Sequence, residues 1–386
     1  MRGGACMDKE VAIIGYAQTK YSEDADNSRE LQVLQVAREA LAMAGLKRED
    51  LSTVIGASND YLDGRTISNM RLVEPSGASM KDESKVEMDG AYAALYALMR
   101  ILSGFHDIAM VFAESQASVY AVYLPGIMTL DPTYDRQRWL LNEVSAGALQ
   151  ARAYMNEYGI TEEQIAAVSA KNLDNAAKNR FALRQMPGLT VEQVLSSRML
   201  YSPIRELNAW PATDGACAII LASGKAAAKA SNPVWIKGVG FSHDSYLTER
   251  PLAKMNSLKL AADQCYGMAG ITDPASEIDL AEIHESFAHE ELMAYEALGF
   301  CAEGRGGEFI DSGATRIDGK LPVNASGGAL AANAMCATGL ARIAEAAMQI
   351  AGDAGEHQVQ GVKTAVAHGQ TGLCAQENIV FALGGE

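Results

Sequence analysis

Two histidines stand at the ends of apolar runs, where a side chain can face a ligand: His284 in Ile283–Phe287 (IHESF), beside Glu285, and His368 in Ala365–Gly372 (AVAHGQTG). A histidine so placed can carry a proton near neutral pH or donate a hydrogen bond from a neutral ring. The remaining four read as structural. His106, His243 and His357 fall in polar linkers and are expected at the surface, and His289 is expected on the exposed face of the helix after His284. Six scattered cysteines (Cys6, Cys217, Cys265, Cys301, Cys336, Cys374) with no C-x-x-C pair suit a reduced, cytoplasmic protein with no metal cage of its own. Cys336 and Cys374 are either thiol acid/bases or small buried apolar residues. Two carboxylates precede a helical run: Asp89 has the place of an N-cap, and Glu87 that of a strand-end or helix N-terminal charge. The glycine-rich Gly304–Gly307 (GRGG) lacks the preceding strand and following lysine of a phosphate loop.

The elements that must hold these residues alternate between strand and helix. Val11–Ala17 reads as a strand, Leu31–Ala44 as an amphipathic helix and Ser52–Ala57 as a second strand; a helix over Ala91–Leu102 and a buried strand at Ile108–Ala113 follow. Strand, helix, strand is the unit of a parallel sheet. Helical pieces near Leu141–Tyr158 and Thr161–Arg180, after an aromatic-rich stretch at Tyr120–Tyr134, interrupt the pattern as an insertion before Gly215–Ala222 returns to the sheet. The order helix, Met-Ala-Gly, polar linker, Asp-Leu, strand occurs twice, over Leu34–Ser58 and Leu258–Ser286. A second echo pairs Asp89-Gly90-Ala91 before one helix with Ser326-Gly327-Gly328 before another, so the chain reads as an internal duplication. The halves are residues 1–116 with 206–221, and 222–386, with 117–205 as the inserted helical lid. A formal charge of −16 disfavours nucleic acid and anionic membranes as partners. No apolar stretch reaches the roughly 18–20 residues of a membrane helix.

A duplicated chain with these loops resembles the thiolase superfamily, in its sterol-carrier, lipid-transfer-type branch. Trp210–Leu221 (WPATDGACAIIL) is similar to the segment leading into the last strand of the first half. IHESF resembles the His-x-x-Phe form of one active-site loop, Val323–Gly339 (VNASGGALAANAMCATG) the Asn-x-Ser-Gly-Gly to Gly-Ala-Thr-Gly loop, and AVAHGQTG the last loop. The resemblance implies an α/β thiolase fold: two βαβαβαββ halves in five layers, αβαβα, with a helical insertion in the first half and a homodimer through the first-half sheet edge. Departures from the pattern bear on mechanism. Ordinary thiolases attack with a cysteine at a helix N-terminus, yet no cysteine lies between Cys6 and Cys217. Counting back from Ser103-Gly104 puts Glu87 in that slot, within a residue or two, and counting back from Ala337-Thr338-Gly339 puts Asn333 where a catalytic histidine is expected.

The chemistry the resemblance implies is cleavage of a carbon–carbon bond with departure of a thioester enolate, whose oxygen needs fixed donors. His284 and Asn333 are expected to supply them, with Glu87, His368 and Glu285 as further catalytic candidates. Ser326, Gly327, Gly328, Gly369 and Cys336 are expected to bind substrate. Coenzyme A enters as a substrate, its phosphates meeting Lys171, Lys178, Arg180 or Arg184. In one reading a free CoA thiolate attacks a branched or aromatic 3-oxoacyl-CoA, such as 2-benzoylsuccinyl-CoA, while Glu87 or His368 takes the thiol proton. In another, an aldolase cleaves a 3-hydroxyacyl-CoA, and in a third the chain is a non-catalytic acyl-CoA-binding scaffold. The cysteine-lacking relatives imply a small partner subunit with a zinc ribbon and an OB-like domain.

Overall fold

A computed structural model describes residues 10–60, 67–119, 131–133 and 141–385; most of the aromatic-rich stretch at 120–134 lies outside these. The first half runs β1 (Val11–Gln18), α1 (Arg29–Met43), β2 (Thr53–Ala57), β3 (Asp82–Val86), α2 (Gly90–Leu102) and β4 (Ile108–Gln116). Helices α3 (Glu143–Tyr158) and α4 (Glu162–Asn175) and a small hairpin of β5 (Met199–Tyr201) and β6 (Ile204–Arg205) come before β7 (Asp214–Ser223) closes that half. The second half runs β8 (Val234–His243), α5 (Asn256–Ala269), β9 (Leu280–Glu282), α6 (Ala288–Ala297), α7 (Thr338–Ala351), β10 (Thr364–Thr371) and β11 (Glu377–Gly384).

Strand order reveals the duplication. The ladder β3-β2-β4-β7-β1-β8-β11-β10-β9 has its midpoint at the β1–β8 pairing, made by Ala12↔Trp235 and Ile13↔Val234. Reading outward from that joint, β1, β7, β4, β2 and β3 correspond to β8, β11, β10, β9 and the single parallel bridge Ala281↔Val323. The fifth strand of the second half is thus reduced to one residue pair.

Burial follows the strand pattern. Val11 and Ile13 of β1, Val111 of β4, Ala365 of β10 and Phe381 of β11 share one core with α2 and α7. Their alternating neighbours, such as Ala12 and Ala218, pack against α1, and Val366 and Val380 pack against α5. Strands buried on both faces carry near-continuous apolar sequence, as these do. The layers are α1, first half-sheet, α2 with α7, second half-sheet, and α5, which is the thiolase fold. Helix α7 is buried along nearly its whole length, so even Arg342 and Glu345 must find partners inside.

Two polar networks fix the loops between these layers. Arg342 donates to Glu282 at 2.9 Å and to Ser326 at 2.5 Å, and Glu345 accepts from Gln18 and His357 at 2.9 and 3.0 Å. In the second, Asn172 of α4 and Asn324 each bridge Glu285 and Glu291, at 2.6–3.0 Å, and Lys171 pairs with Glu291 at 2.6 Å. These contacts correct several surface expectations. His357 is buried because Glu345 claims it, and His289 is fully buried against Gln150 at 3.1 Å. Lys171 is spent on Glu291 and the Val323 carbonyl rather than held out for a phosphate. The second helix of the insertion is α-helical to Asn175 and continues as a 3-10 turn over Ala176–Lys178, near the expected end at Arg180, and Asn175 turns its amide onto the Asn324 carbonyl.

Burial, together with the neighbouring Glu291, pushes the Glu285 carboxyl up to about 8. Its folded value exceeds its unfolded one, so the stability it contributes is complete at low pH and is lost as pH rises through 8. Urea midpoints measured from pH 5 to 9 should therefore move in favour of Glu285→Gln over the native protein as pH rises; a pH-independent difference would contradict this. Gly328 sits at φ +65°, and a Cβ there would lie 2.1 Å from Glu285 Oε1. Gly328→Ala should cost about 1–3 kcal/mol or more in urea unfolding, and a change below about 0.5 kcal/mol would show that the loop yields.

Candidate active site

A cavity of about 100 Å³ opens beyond the C-terminal ends of strands from both halves, the usual ligand position in such sheets. Asn59 follows β2, Asp89 follows β3, His284 and Ser286 follow β9, Asn333 and Cys336 precede α7, and Gln370 and Thr371 end β10.

His284 is 5% exposed. The backbone N–H of Gln370 donates to its Nδ1 at 3.4 Å, which places the ring proton on Nε2, and Nε2 has no protein partner among the described residues. Burial, followed by the fields of His368 and Arg342, drives its pKa well below the usual histidine value, so the ring is neutral and its N–H is available to a ligand. Asn333 is prepared similarly. The Thr338 hydroxyl donates to its Oδ1 at 2.5 Å and Thr213 holds its backbone N–H at 3.2 Å, which leaves the amide Nδ2 to donate. Two fixed neutral donors thus line one cavity and suit an oxygen on which negative charge develops.

Asp89 caps α2 through Ala91 N–H at 2.8 Å, the role its position in the sequence suggests, but it does more. Its second oxygen accepts the Gly339 N–H at the start of α7, also at 2.8 Å, so the N-termini of both central helices converge on one carboxyl. That approach requires glycine at 339, where a Cβ would come within 2.0 Å of Asp89 Oδ1. Asp89 is 2% exposed, and its Oδ2 lies 3.7 Å from His284 Nδ1. Burial pushes its pKa up to about 7 against the pull of the two N–H groups and Arg342.

The other residues expected at the site are placed variously. Cys336 lines the cavity, the only described cysteine to do so. Glu87 does not reach it: the side chain lies at the end of β3, half-exposed, pairing with Lys85 at 2.5 Å and accepting the Asp60 N–H at 3.0 Å. His368 is fully buried behind the cavity with Nε2 against Asn378 at 2.9 Å, and burial lowers its pKa to about 4. Glu285 faces the Asn172–Asn324 network, and Ser326 is held between Glu282 and Arg342. Gly327 and Gly328 turn the loop at φ 98° and 65°, and Gly369 packs where a Cβ would meet Ala91 and Asp89. These residues support the cavity without lining it. Of the proposed phosphate ligands, Arg184 donates to the Ala209 carbonyl at 2.7 Å, while Lys178 and Arg180 are exposed beside another hollow of about 360 Å³.

Sequence reasoning missed Asp89 as a site residue, along with Ser286, Gln370 and Trp210. For Asp89 the signal was present: it opens the helix at whose start the ordinary nucleophile sits. Gln370 is locked by Glu290 at 2.8 Å and Ser286 at 3.1 Å, contacts across the fold that local sequence does not announce. Among the described residues no group of three or more His, Cys, Asp or Glu side chains is arranged to hold a metal ion, and no helix is long and apolar enough to cross a membrane.

The family described as "Thiolase C-terminal domain-like" matches residues 238–383. An acetyl-CoA acetyltransferase of Methanothermobacter thermautotrophicus is 34% identical over 96% of this chain and 99% of its own. Sterol carrier protein 2 of Homo sapiens is 29% identical over 93% of this chain and 69% of its own. The solved "Ltp2-ChsH2(DUF35) aldolase" superposes with a TM-score of 0.85 over 98% of both chains, at 24% identity. With the duplicated fold and these relatives together, the chain belongs to the thiolase superfamily, in its sterol-carrier-type branch, as an acyltransferase-type enzyme.

Proposed function

We propose that this protein breaks the C2–C3 bond of a 3-oxoacyl-CoA with free CoA as the attacking thiol and with no acyl-cysteine on the enzyme. The observation that carries the reading is the pair of neutral donors, His284 Nε2–H and Asn333 Nδ2–H, in a cavity that the buried carboxyl of Asp89 also lines. A thioester enolate departing from the cleaved bond would place its oxygen on those donors. Bound there it needs no covalent anchor, and CoA can attack the 3-oxo carbon directly. Branched and aromatic acyl groups, of the 2-benzoylsuccinyl kind, are the substrate class we assign, and CoA is a substrate rather than a resident cofactor. We also assign a small zinc-ribbon and OB-fold subunit as partner, a reading supported by the neighbour that pairs Ltp2 with ChsH2(DUF35).

A retro-aldol reaction on a 3-hydroxyacyl-CoA is the second reading. It is favoured by the same carboxyl, because an aldolase needs a base and no sulfur nucleophile, and by the aldolase named among the structural neighbours. The two part on one requirement. Cleavage of a 3-oxoacyl-CoA by the purified chain with its partner should depend on added CoA and release two CoA esters; cleavage of a 3-hydroxyacyl-CoA without CoA would establish the aldolase instead. In either reaction His284→Ala and Asn333→Ala should each lower kcat by about 10²–10³, measured at saturating substrate. Unchanged turnover in both variants would reduce the chain to a scaffold.

A further inference from the structure

The enolate formed in the proposed reaction must be protonated at carbon, and neither Glu87 nor His368 touches the cavity in which it forms. His284 is also unsuited. Its Nδ1 already accepts the Gln370 N–H and its Nε2 carries the proton needed as a donor. From the placement of one carboxyl between two helix N-termini and beside His284, we infer that Asp89 is the acid/base that carries the proton to and from the α-carbon of the thioester.

Asp89 lines the cavity, lies 3.7 Å from His284 Nδ1, and is held by one backbone N–H on each oxygen. Each carboxyl oxygen has a second lone pair, so these bonds orient the group without consuming it. Glu143 also lines the cavity but opens α3 in a less buried position, away from the converging helix ends. Burial sets the affinity of Asp89 for a proton close to neutrality, where one group can both give and take it. In cleavage, the C2–C3 electron pair passes into the enolate, whose oxygen is held by His284 and Asn333. The Asp89 O–H then breaks as its proton joins the α-carbon, and the thioester carbonyl re-forms. That proton is the one the Asp89 carboxylate took from the CoA thiol on attack, before the bond broke, so one proton enters and one leaves in each cycle. In the aldol variant the proton comes from the 3-hydroxyl group.

The inference rests on the enolate reading above, and one half-reaction separates the two. Acetyl-CoA or propionyl-CoA incubated in D2O with the full chain together with its partner should exchange its α-protons for deuterium, followed by mass spectrometry, because the same groups run enolisation in reverse. Asp89→Asn keeps the helix cap, Asn and Asp being equally good there, and should slow exchange at least about 10²-fold, the scale of a lost general base. Asp89→Ser caps without an acid and should show the same loss, whereas Asp89→Glu should restore part of the rate. Circular dichroism and urea midpoints identify which variants are folded, and one folded variant of Asn or Ser decides the matter. Exchange by the native chain that survives at its full rate in a folded Asp89→Asn or Asp89→Ser variant overturns the role of Asp89 and leaves the enolate reading standing. No exchange by the native chain overturns the enolate reading, and the inference with it.

Discussion

The buried carboxyl of Asp89 is held where the N-termini of two central helices meet, one from each half of a duplicated chain. An uncompensated carboxylate at 2% exposure would be costly, so the fold aims backbone N–H groups at it from both directions. The close approach of α2 and α7, the glycine at 339 and the nearly complete burial of α7 serve that arrangement. The layers outside it are then fixed by ordinary apolar alternation along the strands.

In the proposed reaction, a charge on the protein and a charge on the substrate would be stabilised by the same devices. Helix ends converge on Asp89, while His284 and Asn333, both neutral, leave their free N–H groups toward the cavity. Each of these donors is oriented by a further hydrogen bond, from Gln370 to His284 and from Thr338 to Asn333. Gln370 is in turn held by Glu290, which also accepts the N–H groups of Ser286 and Phe287 and so pins the loop carrying His284. The preorganisation that the proposed enolate requires is thus supplied by the donors and by the hydrogen bonds behind them.

Much of this was legible in the sequence, for identifiable reasons. Strand and helix periodicity and the repeated Met-Ala-Gly and Asp-Leu order are local, and they gave the duplicated α/β layout. His284 was legible because it ends an apolar strand in a recognisable loop, and Asn333 because few residues separate it from the start of α7. Asp89 was read as a cap ahead of a catalyst, because counting from the far end of a helix carries an error of a residue or two and pointed to Glu87. His289, His357 and Lys171 look like surface residues in sequence. Their partners Gln150, Glu345 and Glu291 reach them only once the chain is folded, and no local pattern encodes those contacts.

In the proposed reaction, carbon–carbon cleavage proceeds without a protein sulfur taking the acyl group, although Cys336 lies within the cavity. Intact-mass spectrometry of the protein quenched during turnover, with peptide mapping of all six cysteines, tests it most directly. Unmodified protein is expected at every time point. An acyl group recovered on Cys336, or on any other cysteine of the chain, would contradict it.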